Sequence, residues 1–252
     1  MEQKVIHTFQ ENKRRYGSRR IVKDLRAAGS RISRYKVAEV LQMHGLKAIQ
    51  PRSFVPKTTE SRHPYPISPN LLLDRAIPEQ PDEVWVGDIT YIPLAGGKWA
   101  YLAVWMDLYS RRIVGWHLDY HMQESLITTA FKRALRSRRP PKGLIVHSDR
   151  GGQYASNNFR RLIDDHSLLQ SMSRADNPYD NAFMESCFSR LKAELLQDGI
   201  FDTIEDARTE IFEYLEMYYN TRRLHSSLNY QSPMSYEKEY YYCLTQENFV
   251  SA

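Results

Sequence analysis

Gly143 to His147 (GLIVH) is an apolar run too short for a helix, set between Pro140-Pro141 and Asp149. Such a run reads as a strand buried on both faces, which requires a sheet covered by helices above and below. The neighbouring segments supply that sheet. Glu83 to Pro93, Trp99 to Asp107 and Arg112 to Leu118 are rich in Val, Ile, Tyr and Trp. With Gly96-Gly97 and Tyr109-Ser110 at turn positions, they predict a three-stranded antiparallel meander. Glu124 to Arg138 has helical composition and ends at the two prolines. Beyond GLIVH the pattern predicts a helix over Phe159 to His166, a strand over Leu168 to Ser173 and a long helix over Ala182 to Gln197. A last helix spans Ile204 to Arg222, with Thr203 and Asp206 placed to cap it.

The order β-β-β-α-β-α-β-α-α is that of an α/β, ribonuclease H-like mixed sheet flanked by helices. At 252 residues the chain has room for one large domain and a small one. The charge distribution separates them: residues 1 to 60 hold 14 Lys/Arg against 5 Asp/Glu, and the remainder holds 21 against 25. A basic N-terminal module on a slightly acidic body points to a polyanion, with nucleic acid as the leading candidate. Within it Val5, Ile6 and Phe9, then Ile21, Val22 and Leu25, then Val37, Val40 and Leu41 form three short apolar faces broken by Gly17, Gly29 and Gly45. This is a small all-α helix-turn-helix outline, in which the start of the second helix of the pair enters the major groove. Arg34, Tyr35 and Lys36 are therefore the expected readers.

The expected division is a helix-turn-helix domain over 1–50, a Pro-rich linker over 51–81, an α/β core over 82–240 and a C-terminal tail over 241–252. Inside the linker Asn70 to Ile77 (NLLLDRAI) is expected as a short helix or docking segment. The only cysteines, Cys187 and Cys243, exclude a disulfide framework and a cysteine-based zinc site within one chain, and suggest a reducing compartment. No apolar run approaches the ~18 residues of a membrane span, and the N-terminus lacks the apolar stretch of a secretory signal, so a cytosolic protein is expected.

Three acids sit where a solvent-facing loop carboxylate is not expected: Asp88 in VWVGDITYI, Asp149 in HSDRGGQY and Glu185 in DNAFMES. If the first and fourth strands lie side by side, Asp88 and Asp149 meet mid-sheet, and the helix bearing Glu185 can cross that edge. Buried carboxylates need compensation, and converging ones suit a hard divalent cation. Two Mg²⁺ ions ~3.5–4 Å apart would support in-line phosphoryl transfer with no Ser, Cys or His nucleophile. Asp107, at a strand end, reads as structural, and Trp85, Trp99, Trp105 and Trp116 read as core. His147, Ser148, the Arg150-Gly151-Gly152 tip, Gln153 and Tyr154 are weaker candidates for substrate contact, and Asn177-Pro178-Tyr179 for a mobile lid.

Asp88 in W-x-G-D-I-T-Y, Asp149 in H-S-D-R-G-G-Q-Y and Glu185 in D-N-A-x-x-E-S, with 35 residues between the last two acids, resemble the DDE transposases related to retroviral integrases. Tyr16-Gly17 with Arg19-Arg20-Ile21, and Tyr219-Asn220, Arg223, His225, Leu228 and Pro233, are similar to the second-frame product of the insertion-sequence-three family. The resemblance covers nearly the whole chain. It implies an integrase catalytic core with Asp88, Asp149 and Glu185 as metal ligands, Mg²⁺ or Mn²⁺ as cofactor, cleavage of transposon ends and transfer of the freed 3′ hydroxyl to DNA. Lys192, seven residues after Glu185, matches a basic position that contacts DNA near the reacting phosphate. Arg19, Arg20, Arg223 and His225 are further DNA-contact candidates.

The implied partners are transposon-end and target DNA, a second copy of the chain on DNA, and an upstream first-frame product carrying another helix-turn-helix. The implied location is the bacterial cytoplasm. The zinc-binding His/Cys module of retroviral integrases is missing. Strand transfer, hydrolysis without joining, and DNA binding by a non-catalytic regulator are the three readings to be separated.

Overall fold

The computed structural model describes residues 1–50, 64–73, 75–174, 182–196 and 199–250. Residues 51–63 and 74 of the linker and the Asn177-Pro178-Tyr179 segment lie outside them. At the N-terminus α1 (Glu2–Glu11), α2 (Ser18–Ala27) and α3 (Arg34–Met43) close around Val5, Phe9, Tyr16, Ile21, Val37 and Val40, all buried. The turn into α3 is set by Gly29, at a φ of 78° that side-chain-bearing residues rarely adopt. The Ser33 hydroxyl then caps the helix by accepting from Lys36 N–H.

The body is a five-stranded sheet, among the described residues, in the order β3-β2-β1-β4-β5. The meander forms as expected from β1 (Val84–Leu94), β2 (Lys98–Asp107) and β3 (Ile113–Asp119), each antiparallel to the next. The apolar GLIVH run becomes β4 (Ile145–Ser148), buried along its length and parallel to both β1 and β5 (Leu169–Met172). Helices cover both faces. Trp85, Trp105 and Val146 pack under α4 (Glu124–Arg138) and α6 (Asn157–Asp165), with the single turn α5 (Gly152–Ala155) ahead of α6. Val84, Val86 and Ile145 pack under α7 (Ala182–Leu195) and α8 (Ile204–Phe212). Gly115 allows α4 to sit directly on β3, since a Cβ there would lie 2.4 Å from the Ala130 carbonyl oxygen.

Three details depart from the sequence reading, and for Asn70–Leu73 the docking alternative is the one met. The last predicted helix stops at Phe212 and continues as a wider π-helical stretch, Glu213–Tyr219. There Asn220 N–H reaches back to the Leu215 carbonyl, and the Asn220 amide pairs with both backbone groups of Ile113 on β3. Residues Asn70–Leu73 form no helix. They dock instead: Leu71 and Leu72 pack on the α7 face, and Leu71 N–H donates to Ser171 Oγ. Residues 241–250, expected as a tail, continue α9 (Pro233–Val250), a helix that starts with Pro in its first turn and Ser232 Oγ accepting from Ser235 N–H. Trp99, expected in the core, is 46% exposed and meets Tyr91 edge-on.

A buried polar clamp ties α9 to the sheet. Arg138 at the end of α4 bonds Asp82 and Glu237, and Arg112 also bonds Glu237. Asp107 accepts from Asp82 N–H, Ser110 N–H and Ser110 Oγ, which bears out its structural reading.

Candidate active site

The pairing of β1 with β4 puts Val86 opposite His147, so Asp88 and Asp149, each two residues further on, stand level on neighbouring parallel segments. The local sequence explains why Asp88 is presented there. Gly87 and Trp105 are register partners, and a Cβ on Gly87 would come within 2.4 Å of the Trp105 ring. Glycine therefore lets Trp105 lie across β1 into the α4 layer, while the alternation of the strand turns Asp88 to the α7 side.

Asp88 is half-buried and its Oδ1 accepts from Ile89 N–H at 2.7 Å. Asp149 is also half-buried, and its Oδ1 accepts from Gly151 N–H at 2.9 Å. A Cβ on Gly151 would crowd that oxygen at 3.0 Å.

Both carboxylates line one cleft with Ile89, Tyr91, Met122, Gly151, Gln153 and Tyr154. Its open centre is about 20 Å³, the scale of a single water or bare cation. Burial holds the Tyr154 phenol well above its usual range, and the charges of Asp88 and Asp149 push it the same way, so it stays a neutral wall. Gln153 is anchored through its amide to the Met122 carbonyl. Arg150 donates to the Ser173 carbonyl at the end of β5, and buried His147 pairs with Ser171 Oγ.

Glu185 lies in the first turn of α7 on its exposed side. Among the described residues no three carboxylate, imidazole or thiol groups stand close enough to hold one metal ion. The structure thus brings Asp88 and Asp149 together and leaves Glu185 outside the cleft. Lys192, two turns further along α7, is half-buried; burial lowers its pKa and the Asp88 charge opposes that shift, which puts the ammonium within electrostatic reach of the cleft.

The remaining DNA-contact candidates divide. Arg34, Tyr35 and Lys36 open α3 and are exposed, Tyr35 by 85%, with Lys36 paired to Glu39. Arg19 is exposed as well. Arg20 turns back to donate to the Leu224 carbonyl. Arg223 and His225, expected at DNA, are drawn inward instead. Arg223 is 3% exposed and makes a bidentate pair with Glu194 on α7. Burial and the charges of Arg223, Arg20 and Arg111 push the His225 imidazole down to about 2, so it is neutral at physiological pH. Sequence reasoning missed Glu194, and its one signal was a carboxylate on the apolar stripe of α7 beside Leu191 and Leu195.

The HTH-like domain family matches residues 1–54, and two integrase core domain families match residues 78–178 and 166–233. The transposase for insertion sequence element IS904 of Lactococcus lactis subsp. lactis (strain IL1403) is 41% identical over 238 residues, covering 94% of this chain and 93% of that protein. Transposase InsF for insertion sequence IS3A of Escherichia coli (strain K12) is 39% identical over 235 residues, 93% of this chain and 81% of its own length. Among solved structures, a chain of the simian T-cell lymphotropic virus intasome in complex with PP2A regulatory subunit B56 gamma superposes with a TM-score of 0.52 at 16% identity. It covers 92% of this chain and 73% of that one, a likeness of fold.

Proposed function

The chain belongs to the IS3 family of transposases, with an HTH-like domain and an integrase core, and we propose that it cuts the ends of its element and joins the freed 3′ hydroxyl to target DNA. The observation that carries this is the level placement of Asp88 on β1 and of Asp149 just past the end of the parallel β4, facing one narrow cleft. The metal-ligating atoms they offer are all carboxylate oxygens, one oriented by Ile89 N–H and the other by Gly151 N–H. That set fits Mg²⁺ or Mn²⁺ and disfavours soft metals. Glu185 is assigned as the third acid from its place in the motif. When bound, a pair of such ions would activate the attacking hydroxyl and neutralise charge on the leaving oxygen.

The chain's own groups do the rest. Asp88 and Asp149 hold fixed negative charge against the cation sites, and the neutral Tyr154 wall adds none. Lys192, whose ammonium feels the Asp88 charge, is assigned to receive the scissile phosphate. Arg34, Tyr35 and Lys36, with Arg19, are the surface that reads and grips the transposon end. We take 1–50 as the reading module and 82–240 as the core, with α9 extending the core past residue 240. Pairing of two ends calls for at least two copies on DNA, and an upstream first-frame product would add a further DNA-binding element.

The test is a strand-transfer assay with a labelled transposon end, target DNA and Mg²⁺. A joined product is expected, and hydrolysis without joining would refute transfer. Asp88→Asn, Asp149→Asn and Glu185→Gln are each expected to lower cleavage by more than ~100-fold, beyond the usual loss for an outer-shell group, while end binding persists. Unaffected cleavage by Glu185→Gln would remove it from the triad.

A further inference from the structure

Two motifs far apart in sequence, Tyr16-Gly17 with Arg19-Arg20 and the stretch around Arg223, meet in space. Tyr16 Oη donates to the Arg222 carbonyl at 3.1 Å and accepts from Leu224 N–H at 3.0 Å. Arg20 Nε donates to the Leu224 carbonyl at 2.8 Å. The Arg15 guanidinium lies 4.5 Å from the Tyr218 ring centroid, and Tyr218 and Leu224 pack against the core of the N-terminal helices.

Between those two anchored residues, Arg223 points the other way. Its guanidinium grips Glu194 at 2.7 and 3.0 Å, and Tyr214 Oη donates to the same carboxylate at 2.9 Å. Glu194 is nine residues beyond Glu185 on α7, about 13 Å along one helix. Lys192 lies between them. The chain from 222 to 224 is thus held on one side by the reading module and on the other by the helix carrying two proposed active-site residues. The Glu194–Arg223 pair is charged on both sides: burial raises the carboxyl, and the Arg223 hydrogen bonds bring it below its ordinary value. A pair desolvated this far tolerates little displacement.

We propose that segment 222–224, clasped by Tyr16 and Arg20 and pinned through Arg223 to Glu194, is a rigid joint that sets the distance between the DNA sequence read by the N-terminal module and the phosphodiester cut by the core. Tyr16, Arg20, Arg223 and Glu194 are positioning residues. The inference rests on the transposase reading above.

The experiment uses the full chain and two variants, Tyr16→Phe and Arg20→Gln, each removing one clasp without touching the acidic residues. Footprinting locates the sequence bound on an end duplex, and cleavage is followed on that duplex and on one with about five base pairs, half a helical turn, inserted before the cut. Wild type is expected to cut the natural duplex and to lose at least tenfold on the inserted one. Each variant should keep its footprint and KM, cut the natural duplex ~10- to 100-fold more slowly at saturating DNA, and discriminate less between the two spacings. A purely structural role would lower the melting point or the folded fraction and leave the spacing preference intact. Variants that match wild type in rate and spacing preference overturn the joint alone. A wild-type chain that footprints the end yet never cuts either duplex overturns the transposase reading beneath it.

Discussion

Asp107→Asn should alter both the level of stability and its pH dependence. Asp107 is fully buried. Its Oδ2 accepts from Asp82 N–H at 2.7 Å, and its Oδ1 accepts from Ser110 N–H and Ser110 Oγ, both at 2.8 Å. The same hydroxyl lies 2.8 Å from Glu237 Oε1, so one serine proton serves two carboxyl groups. Arg138 joins Asp82 to Glu237, and Arg112 reaches Glu237. Burial pushes Asp107 up from 3.8 to about 6, against the lowering by its hydrogen bonds from Ser110 and Asp82.

The folded state therefore holds this proton more tightly than the unfolded chain does. The resulting stabilisation is fully present below about pH 4 and is lost as pH rises through about 6, a change on the order of 3 kcal/mol. Asparagine cannot take part in it. Its amide also sets an NH₂ against one of the backbone N–H groups that the carboxyl accepted, a pH-independent cost of ~1–3 kcal/mol. Relative to wild type, the variant should be clearly destabilised near pH 4 and should recover by roughly 3 kcal/mol near pH 8. Urea unfolding of both chains at the two pH values reads the difference directly, because titrations common to both cancel. A gap between the two chains that is equal at both pH values, or that widens as pH rises, would refute the reasoning.

Gly115→Ala must lift α4 off β3, because the new methyl meets the Ala130 carbonyl at 2.4 Å and Ala134 Cβ at 2.8 Å. The expected loss is ~1–3 kcal/mol, seen as a melting point lower by about 3–10 °C, and an unchanged melting point would show that the helix yields freely. Arg223→Met strands the buried Glu194 carboxylate and should cost ~3–5 kcal/mol, much of it regained when Glu194→Leu is added; strictly additive losses in that double-mutant cycle would contradict a coupled pair. Lys192→Ala should lower the slope of log affinity for end DNA against log salt by about one phosphate contact. An unchanged slope would take Lys192 away from the backbone.

Much of the fold was legible because secondary structure answers to local periodicity. The helix over Glu124–Arg138 and the order of the strands follow from apolar spacing and from the prolines and glycines that interrupt it. The C-terminal helix was missed for a complementary reason. Its residues alternate aromatic and charged groups without a clear stripe, and much of what holds it is the Glu237 clamp to Arg112 and Arg138, about a hundred residues or more away in sequence. Trp99 misled in the same way, since a tryptophan in a strand reads as core, whereas here it stays 46% exposed against Tyr91.

By itself the sequence determined which chemistry was available: three acids in strand, strand-end and helix settings, and a basic helical module suited to a polyanion. Tertiary structure decided which of those charges meet. Register across β1 and β4 put Asp88 and Asp149 level on one cleft, while packing left Glu185 on the outside of α7 and drew Arg223 and His225 away from solvent. Residue type sets the charge a side chain can carry, whereas its cost and its partner depend on burial, which is produced by segments distant in sequence and cannot be read from neighbours along the chain.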